Sequence, residues 1–377
     1  MTRIKRDHRA RIADGLTIAV AVSAAALGGL ALVTFGSTGC DARRRATPPG
    51  AVEARRVASP TARDGAPQVG SAGDVDDADS PSAPVPTTKS DAGARPPGRF
   101  VSDMLPPTKP GRIRLAVMGD YGWSGPHEQQ VAELVHSLHP DFVLTTGDNN
   151  YPLGAADTID QNIGQYFSDL IYPYHGSYGR GAISNKFYPV MGNHDWYTNE
   201  GAAYLAYFTL PGNERYYDVV LGDVHFFALD SDEHEPDGVS ATSVQAQWLK
   251  QALATSKSAY NVVAMHHPPY SSGPHGDTNY MQWPYAEWGA DLVMAGHDHC
   301  YERLEIDGIT YIVSGLGGAS LYSFAEPDAG SVVRYNDQFG TTVLEASSEE
   351  MRSSFYDVDG KLIDTATFRP HVAKASP

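Results

Sequence analysis

Five short apolar runs in this 377-residue chain each break at a cluster of glycine and metal-ligand side chains, and that recurrence narrows the possible folds more than any other feature. Residues 112–118 run into Gly119-Asp120-Tyr121-Gly122, and 141–145 into Thr146-Gly147-Asp148-Asn149-Asn150-Tyr151. Residues 187–191 lead to Gly192-Asn193-His194-Asp195, 261–265 to His266-His267-Pro268-Pro269, and 291–295 to Gly296-His297-Asp298-His299. Continuous apolar runs of this length read as buried strands. Their ends are where the backbone turns, and α/β sheets carry their chemistry at such ends.

Between the first two runs, Val131, Leu134, Val135 and Leu138 fall at helical spacing and Pro140 stops the helix, which makes a β-α-β unit. A second helix is expected over 160–172, a hairpin over 216–229 turning at Gly222-Asp223, and a helix carrying Val244, Trp248 and Leu249. Past residue 303 the pattern changes to strands and turns, at 309–314, 340–346 and 351–367 with a break at Asp359-Gly360. These late strands are expected to form a second, antiparallel layer on the first. The fold class is α/β of the α+β, four-layer type: two packed mixed sheets flanked by helices.

Charge bounds the partners. Residues 111–377 hold 13 Lys+Arg against 34 Asp+Glu, a net of −21, so this body repels nucleic-acid backbones and nucleic acid is excluded as a partner. Two cysteines, Cys40 and Cys300, supply no disulfide framework. The core must hold the fold.

Three segments are expected. Residues 1–40 place Arg3, Lys5, Arg6, Arg9 and Arg11 before an uncharged stretch and end in Gly36-Ser37-Thr38-Gly39-Cys40, the layout of an export signal. The ending resembles a bacterial lipobox with Cys40 as the lipidated residue, although Ser37 departs from that pattern; the apolar run is also long enough for an uncleaved anchor. Either way the remainder lies outside the cytoplasm, in a bacterial cell envelope or secreted, with membrane contact through the N-terminal lipid or anchor. Residues 41–110 are expected to be a disordered tether, because 41–99 contain no Ile, Leu, Met, Phe, Tyr or Trp. Residues 111–370 are expected to form the folded domain that carries the five clusters, of unassigned oligomeric state.

Asp120, Asp148, Tyr151, Asn193, His266, His297 and His299 together offer carboxylate, phenol, amide and imidazole donors. That set suits hard or borderline ions and is too poor in thiolate for a structural zinc site. A two-metal centre with Asp148 shared between ions is the natural reading, and His297 and His299, one residue apart, can face different ions. Cys300 reads as a packed thiol pointing away from the centre, and His267 as a rim or supporting residue.

The ordered set Gly119-Asp120, Gly147-Asp148-x-x-Tyr151, Gly192-Asn193-His194-Asp195, Val263-x-x-His266 and Gly296-His297-x-His299 resembles the calcineurin-like metallophosphoesterases, and specifically the purple (tartrate-resistant) acid phosphatases. The resemblance covers roughly residues 112–320. Most phosphodiester-cleaving relatives carry Asp-x-His in the first motif, whereas here Asp120 is followed by Tyr121-Gly122, and Tyr151 matches the tyrosine that replaces the missing histidine in the purple enzymes. The resemblance implies Fe(III) on Asp120, Asp148, Tyr151 and His299, and Fe(II), Zn(II) or Mn(II) on Asp148, Asn193, His266 and His297. It implies hydrolysis of small phosphomonoesters by attack of a metal-bound hydroxide on phosphorus, with His194 on the phosphate, Asp195 orienting it and His275 at the leaving group. The alternatives are a phosphodiesterase acting on nucleotides or lipid headgroups, and a non-catalytic surface module braced by its metals. Tyr301, Glu302 and Arg303 are expected to support the last turn, and Gly315-Leu316-Gly317-Gly318 to let backbone pass close to the site.

Overall fold

The computed structural model describes residues 104–106 and 108–371. The expected export segment, Cys40 and most of the tether lie outside the described residues. Among the described residues no helix is long and apolar enough to cross a membrane.

Strands β1 (Ile113–Met118), β2 (Phe142–Thr145), β3 (Phe187–Tyr188), β4 (Tyr217–Leu221), β5 (Val224–Ala228), β6 (Tyr260–Ala264) and β7 (Leu292–Ala295) come first in the chain. They are followed by β8 (Tyr301–Ile306), β9 (Ile309–Ser314), β10 (Ser331–Tyr335), β11 (Gly340–Ala346), β12 (Met351–Asp357) and β13 (Leu362–Phe368). One sheet runs β13-β12-β11-β1-β2-β3 and the other β10-β8-β9-β7-β6-β5-β4. Both are mixed: β1 to β3 pair in parallel, as do β5, β6, β7 and β9, and the remaining pairs are antiparallel.

The expectation of a separate C-terminal antiparallel layer is corrected. The late strands divide, β11 to β13 extending the first sheet from β1 and β8 to β10 the second from β7. An open parallel edge exposes unpaired N–H and C=O groups, and each late hairpin covers one such edge. The third strand also stops early, at Tyr188, because Pro189 has no N–H to continue the ladder.

Sequence periodicity explains how the layers pack. In β5 to β7, Val224, Phe226, Ala228, Val262, Ala264, Leu292 and Met294 join the same core as Leu115 and Val117 of the first sheet. The alternate residues Phe227, Val263 and Val293 face the opposite way, against Ala246, Leu249 and Leu253 of helix Val244–Thr255. Such strands are apolar on both faces, which is why they read as unbroken runs. The helix begins where the Ser243 hydroxyl accepts the Ala246 N–H at 3.1 Å.

Candidate metal centre

Register sets the site. Met118 pairs with Thr145, so Asp120 and Asp148 emerge two and three residues beyond neighbouring parallel strand ends. Ala264 pairs with Met294, which does the same for His266 and His297 in the second sheet. The loops meet tightly: Gly192 packs on Asp148, where a Cβ would collide with the carboxylate, and Gly147, at φ +98°, leaves room for the His266 ring. Asp120, Asp148 and His297 themselves hold φ of 56°, 53° and 69°. Left-handed backbone at three non-glycine residues is strain of the kind that concentrates at functional sites.

The carboxylates of Asp120 and Asp148 and an imidazole nitrogen of His266 lie within 4.8 Å of one another, all buried. The Tyr151 hydroxyl donates to Asp148 Oδ2 at 2.8 Å and lies 3.4 Å from Asp120 Oδ1 and 3.2 Å from His299 Nε2. His266 Nε2 is 2.9 Å from Asn193 Oδ1 and 3.3 Å from Asp148 Oδ2. The two imidazoles of His297-Asp298-His299 part company: His299 Nε2 turns to Asp120 Oδ1 at 3.4 Å, while the His297 ring packs 5.0 Å from His266. These contacts link Asp120, Tyr151, Asn193, His266 and His299 around Asp148, and His297 reaches the group through the His266 ring.

Supporting bonds fix how the imidazoles present themselves. His266 Nδ1–H donates to the Thr146 carbonyl at 2.9 Å, which directs Nε2 inward. His299 Nδ1 meets the Ser320 hydroxyl at 2.6 Å, and its ring stacks on Tyr322 at 4.0 Å. Ser231 accepts the backbone N–H of His266 and of His267 and bonds the His267 ring. Such partners set ligand orientation and basicity. The ordered reading of strand ends did not find Ser231, Ser320 or Tyr322, which lie outside the recurrent clusters. Asn193 Nδ2 donates to the Tyr197 hydroxyl at 2.9 Å, a contact that the four-residue helical spacing could have suggested.

Burial and neighbouring charges oppose one another at these side chains. Burial alone would raise Asp148, yet the imidazoles of His266 and His194 outweigh it and hold the carboxyl below its ordinary range. Burial likewise opposes the His266 cation, but Asp148 raises it to about 10. Burial, then Asp148 and Asp120, push the Tyr151 phenol well above its ordinary range. A buried phenol beside two carboxylates can ionise only against a strong local cation, so the donor set fits metal ions rather than an empty polar pocket.

The remaining expected residues take these places. His194 Nδ1–H donates to the Pro152 carbonyl at 2.6 Å, its ring lies 4.3 Å from Tyr151, and Nε2 faces Asp148 Oδ2 at 3.9 Å. The role given to Asp195 is corrected: its carboxylate accepts from Gly192 N–H and from the backbone and side chain of Asn149, so it ties two loops together while Pro152 orients His194. His275 sits exposed over His297 at 4.1 Å. Cys300 is buried at 1% exposure in the core on the far side of the second sheet. Glu302 binds Ser272 and Ser331, and Tyr301 and Arg303 both bond Asp364.

The calcineurin-like phosphoesterase family profile matches residues 113–301, which span every loop described above except the Ser320 turn. The chain belongs to that family. Among curated proteins this phosphoesterase is 27% identical to purple acid phosphatase 17 of Arabidopsis thaliana, over 70% of this chain and 86% of that one. It is 25% identical to tartrate-resistant acid phosphatase type 5 of Homo sapiens, over 66% of this chain and 88% of the relative. Its fold is similar to the purple acid phosphatase PPD1 of yellow lupin, with a TM-score of 0.56 at 19% identity over 70% of this chain and 55% of that one. It is also similar to GAP50, the anchor in the inner membrane complex of Plasmodium, with a TM-score of 0.57 at 17% identity over 70% of this chain and 90% of that one. The phosphoesterase relatives imply a dinuclear metal site, and Asp120, Asp148 and His266 supply its nucleus here.

Proposed function

We propose that the chain hydrolyses phosphomonoesters at two metal ions shared through Asp148. The observation that carries this reading is the convergence of Asp120, Tyr151 and His299 on one side of Asp148 and of Asn193 and His266 on the other. Asp120, Asp148, Tyr151 and His299 would hold one ion, and Asp148, Asn193, His266 and His297 its neighbour. Bound there, the two cations supply Lewis acidity toward the phosphoryl oxygens and lower the pKa of water. The ferric and divalent assignments belong to this proposal, supported by the hard oxygen donor that the Tyr151 phenol places beside Asp120 and Asp148.

The chain's own residues do the rest. His194, held by Pro152 through Nδ1, keeps Nε2 directed at the site for a phosphoryl oxygen. His275, exposed over His297, stands where a leaving alcohol needs a proton. Trp123 packs on Tyr151 at 5.7 Å and covers that side of the cluster. The test is turnover of 4-nitrophenyl phosphate against bis(4-nitrophenyl) phosphate by protein of measured metal content. Faster cleavage of the monoester is expected; faster diester cleavage assigns a phosphodiesterase, and two bound ions without either activity assigns a metal-braced module.

A further inference from the structure

Asp298 lies between His297 and His299, is buried at 0% exposure, and has no part in the hydrolytic steps described so far. Its carboxylate turns to a different loop. Oδ1 accepts the His275 backbone N–H at 3.1 Å, and Oδ2 accepts the Ser271 hydroxyl at 2.5 Å. The Ser271 oxygen in turn accepts the Gly273 N–H at 3.0 Å. Gly273 presses against the same carboxylate, where a Cβ would collide with it, and Gly315 abuts the Asp298 carbonyl just as closely.

The 271–275 segment is thereby held at two points. Ser272 anchors its base: the backbone N–H and the hydroxyl both donate to Glu302, the hydroxyl accepts the Asp328 N–H at 2.8 Å, and the carbonyl accepts the Ala325 N–H at 2.8 Å. Those bonds stop three residues short of His275. Beyond them Pro274 is exposed and has no N–H to donate, and Gly276 turns the chain at φ +71° into open space. At this tip the Asp298 carboxylate takes the His275 N–H, and a charged acceptor makes the stronger kind of hydrogen bond. The His275 ring then packs 4.1 Å from the His297 ring and 5.6 Å from Tyr322. One buried carboxylate, set between two expected ligands, thus ties the exposed histidine to the metal loop.

We propose that Asp298 is a positioning residue for departure of the alcohol: it suspends His275 from the metal loop so that the imidazole stands over the leaving oxygen. This rests on the phosphomonoesterase reading above. As the water oxygen bonds to phosphorus, the P–O bond to the alcohol breaks with its electron pair on the alcohol oxygen, and His275 supplies the proton which that oxygen takes. The need for this proton grows with the basicity of the alcohol. 4-Nitrophenolate departs as a stable anion, whereas an alkoxide does not. A displacement of about 1 Å can cost a proton donor about a hundredfold in rate, so Asp298 governs the range of leaving groups more than the turnover of activated esters.

The test measures kcat of the metal-loaded full chain, with metal content counted in each sample, on glycerol 2-phosphate and on 4-nitrophenyl phosphate. Asp298→Asn is expected to lower kcat by about thirtyfold for the alkyl ester and about threefold for the nitrophenyl ester, at unchanged metal content. In a His275→Ala background the same substitution should cost the alkyl ester less than about twofold, because residues that act through one another are not additive. Equal losses on the two esters, or full additivity with His275→Ala, overturn the inference while the phosphatase reading stands. Should Asp298→Asn lose metal or fail to fold, Ser271→Ala decides: a fall of about threefold confined to the alkyl ester supports the inference, and an unchanged ratio of the two rates overturns it. Wild-type protein that cleaves neither ester defeats the phosphatase reading and this inference with it.

Discussion

The two sheets bring different chemistry to the same place. The sheet built on β1, β2 and β3 ends in oxygen donors, Asp120, Asp148, Tyr151 and Asn193, whereas the sheet built on β6 and β7 ends in the imidazoles of His266, His297 and His299. Neither set suffices. The oxygen side concentrates two buried carboxylates that repel each other, and the imidazole side has no charge to neutralise a pair of cations. The two sides reach a compromise, in which His266, 3.3 Å from Asp148, takes up the charge that this carboxylate needs. The centre is thus an interface between sheets.

The sharpest way to break this contrast is Asp148→Asn, which removes the one carboxylate that touches both sides. A loss of activity of about a thousandfold or more, about 4 kcal/mol of transition-state stabilisation, is expected together with loss of bound metal. Full metal content with activity within tenfold of wild type would show that Asp148 is not shared. A smaller effect separates the two ions. Ser320→Ala frees His299 Nδ1, which lies on the Asp120 and Tyr151 side, and about a tenfold fall in affinity is expected for one ion only. Competition with a chelator, followed by metal analysis, reads the two stoichiometries separately; equal loss of both would merge the sides.

The pH dependence of the metal-free protein probes the compromise itself. His266 sits at about 10 when folded and near its usual value of about 6.5 when unfolded. A raised folded value means that the native state binds more protons between those limits. The contribution of the Asp148–His266 pair is then whole below pH 6.5 and lost as pH rises toward 10. Melting of chelated protein should fall by about 3 °C or more over that window, the shift that about 1 kcal/mol produces in a domain of this size. Metal-loaded protein, with His266 held as a neutral ligand, should not share that fall; parallel melting curves would locate the pH dependence elsewhere.

Much of this was legible in sequence for a specific physical reason. Strands buried on both faces, such as 260–264 and 292–295, leave unbroken apolar runs, and the residues that interrupt them are forced to the sheet ends. The destination of the late strands was not legible, since β11 follows no period that says whether it will pair with β1 or β9. Strand β10 escaped altogether, because its alternation of half-buried and exposed residues belongs to a partly solvated edge with little apolar signal. In the site, the expected ligands carry telling side chains, while their orienting partners are serines, carbonyl groups and Tyr322, types found everywhere on a chain. Asp195 misled for a related reason: adjacency to His194 suggested contact, but its position at the start of helix Asn193–Trp196 turns the carboxylate back onto Gly192 and Asn149.

The smallest effect tests where the imidazole side ends. Cys300 follows His299 directly, and a thiol next to a ligand is an obvious candidate for a further one. Its surroundings argue otherwise: it packs with Leu304, Tyr311 and Val313 on the helix-covered face of the second sheet, and burial pushes the thiol well above its ordinary range, which disfavours the thiolate that metals bind. Cys300→Ala should cost less than about 1 kcal/mol of stability, the scale of one small apolar group lost from a core, with metal stoichiometry unchanged. Loss of an ion in this variant would move the boundary of the centre through β8 and into that core. An unchanged ion count with slightly lower denaturant resistance would place the boundary at His299, where an extended backbone sends successive side chains to opposite faces.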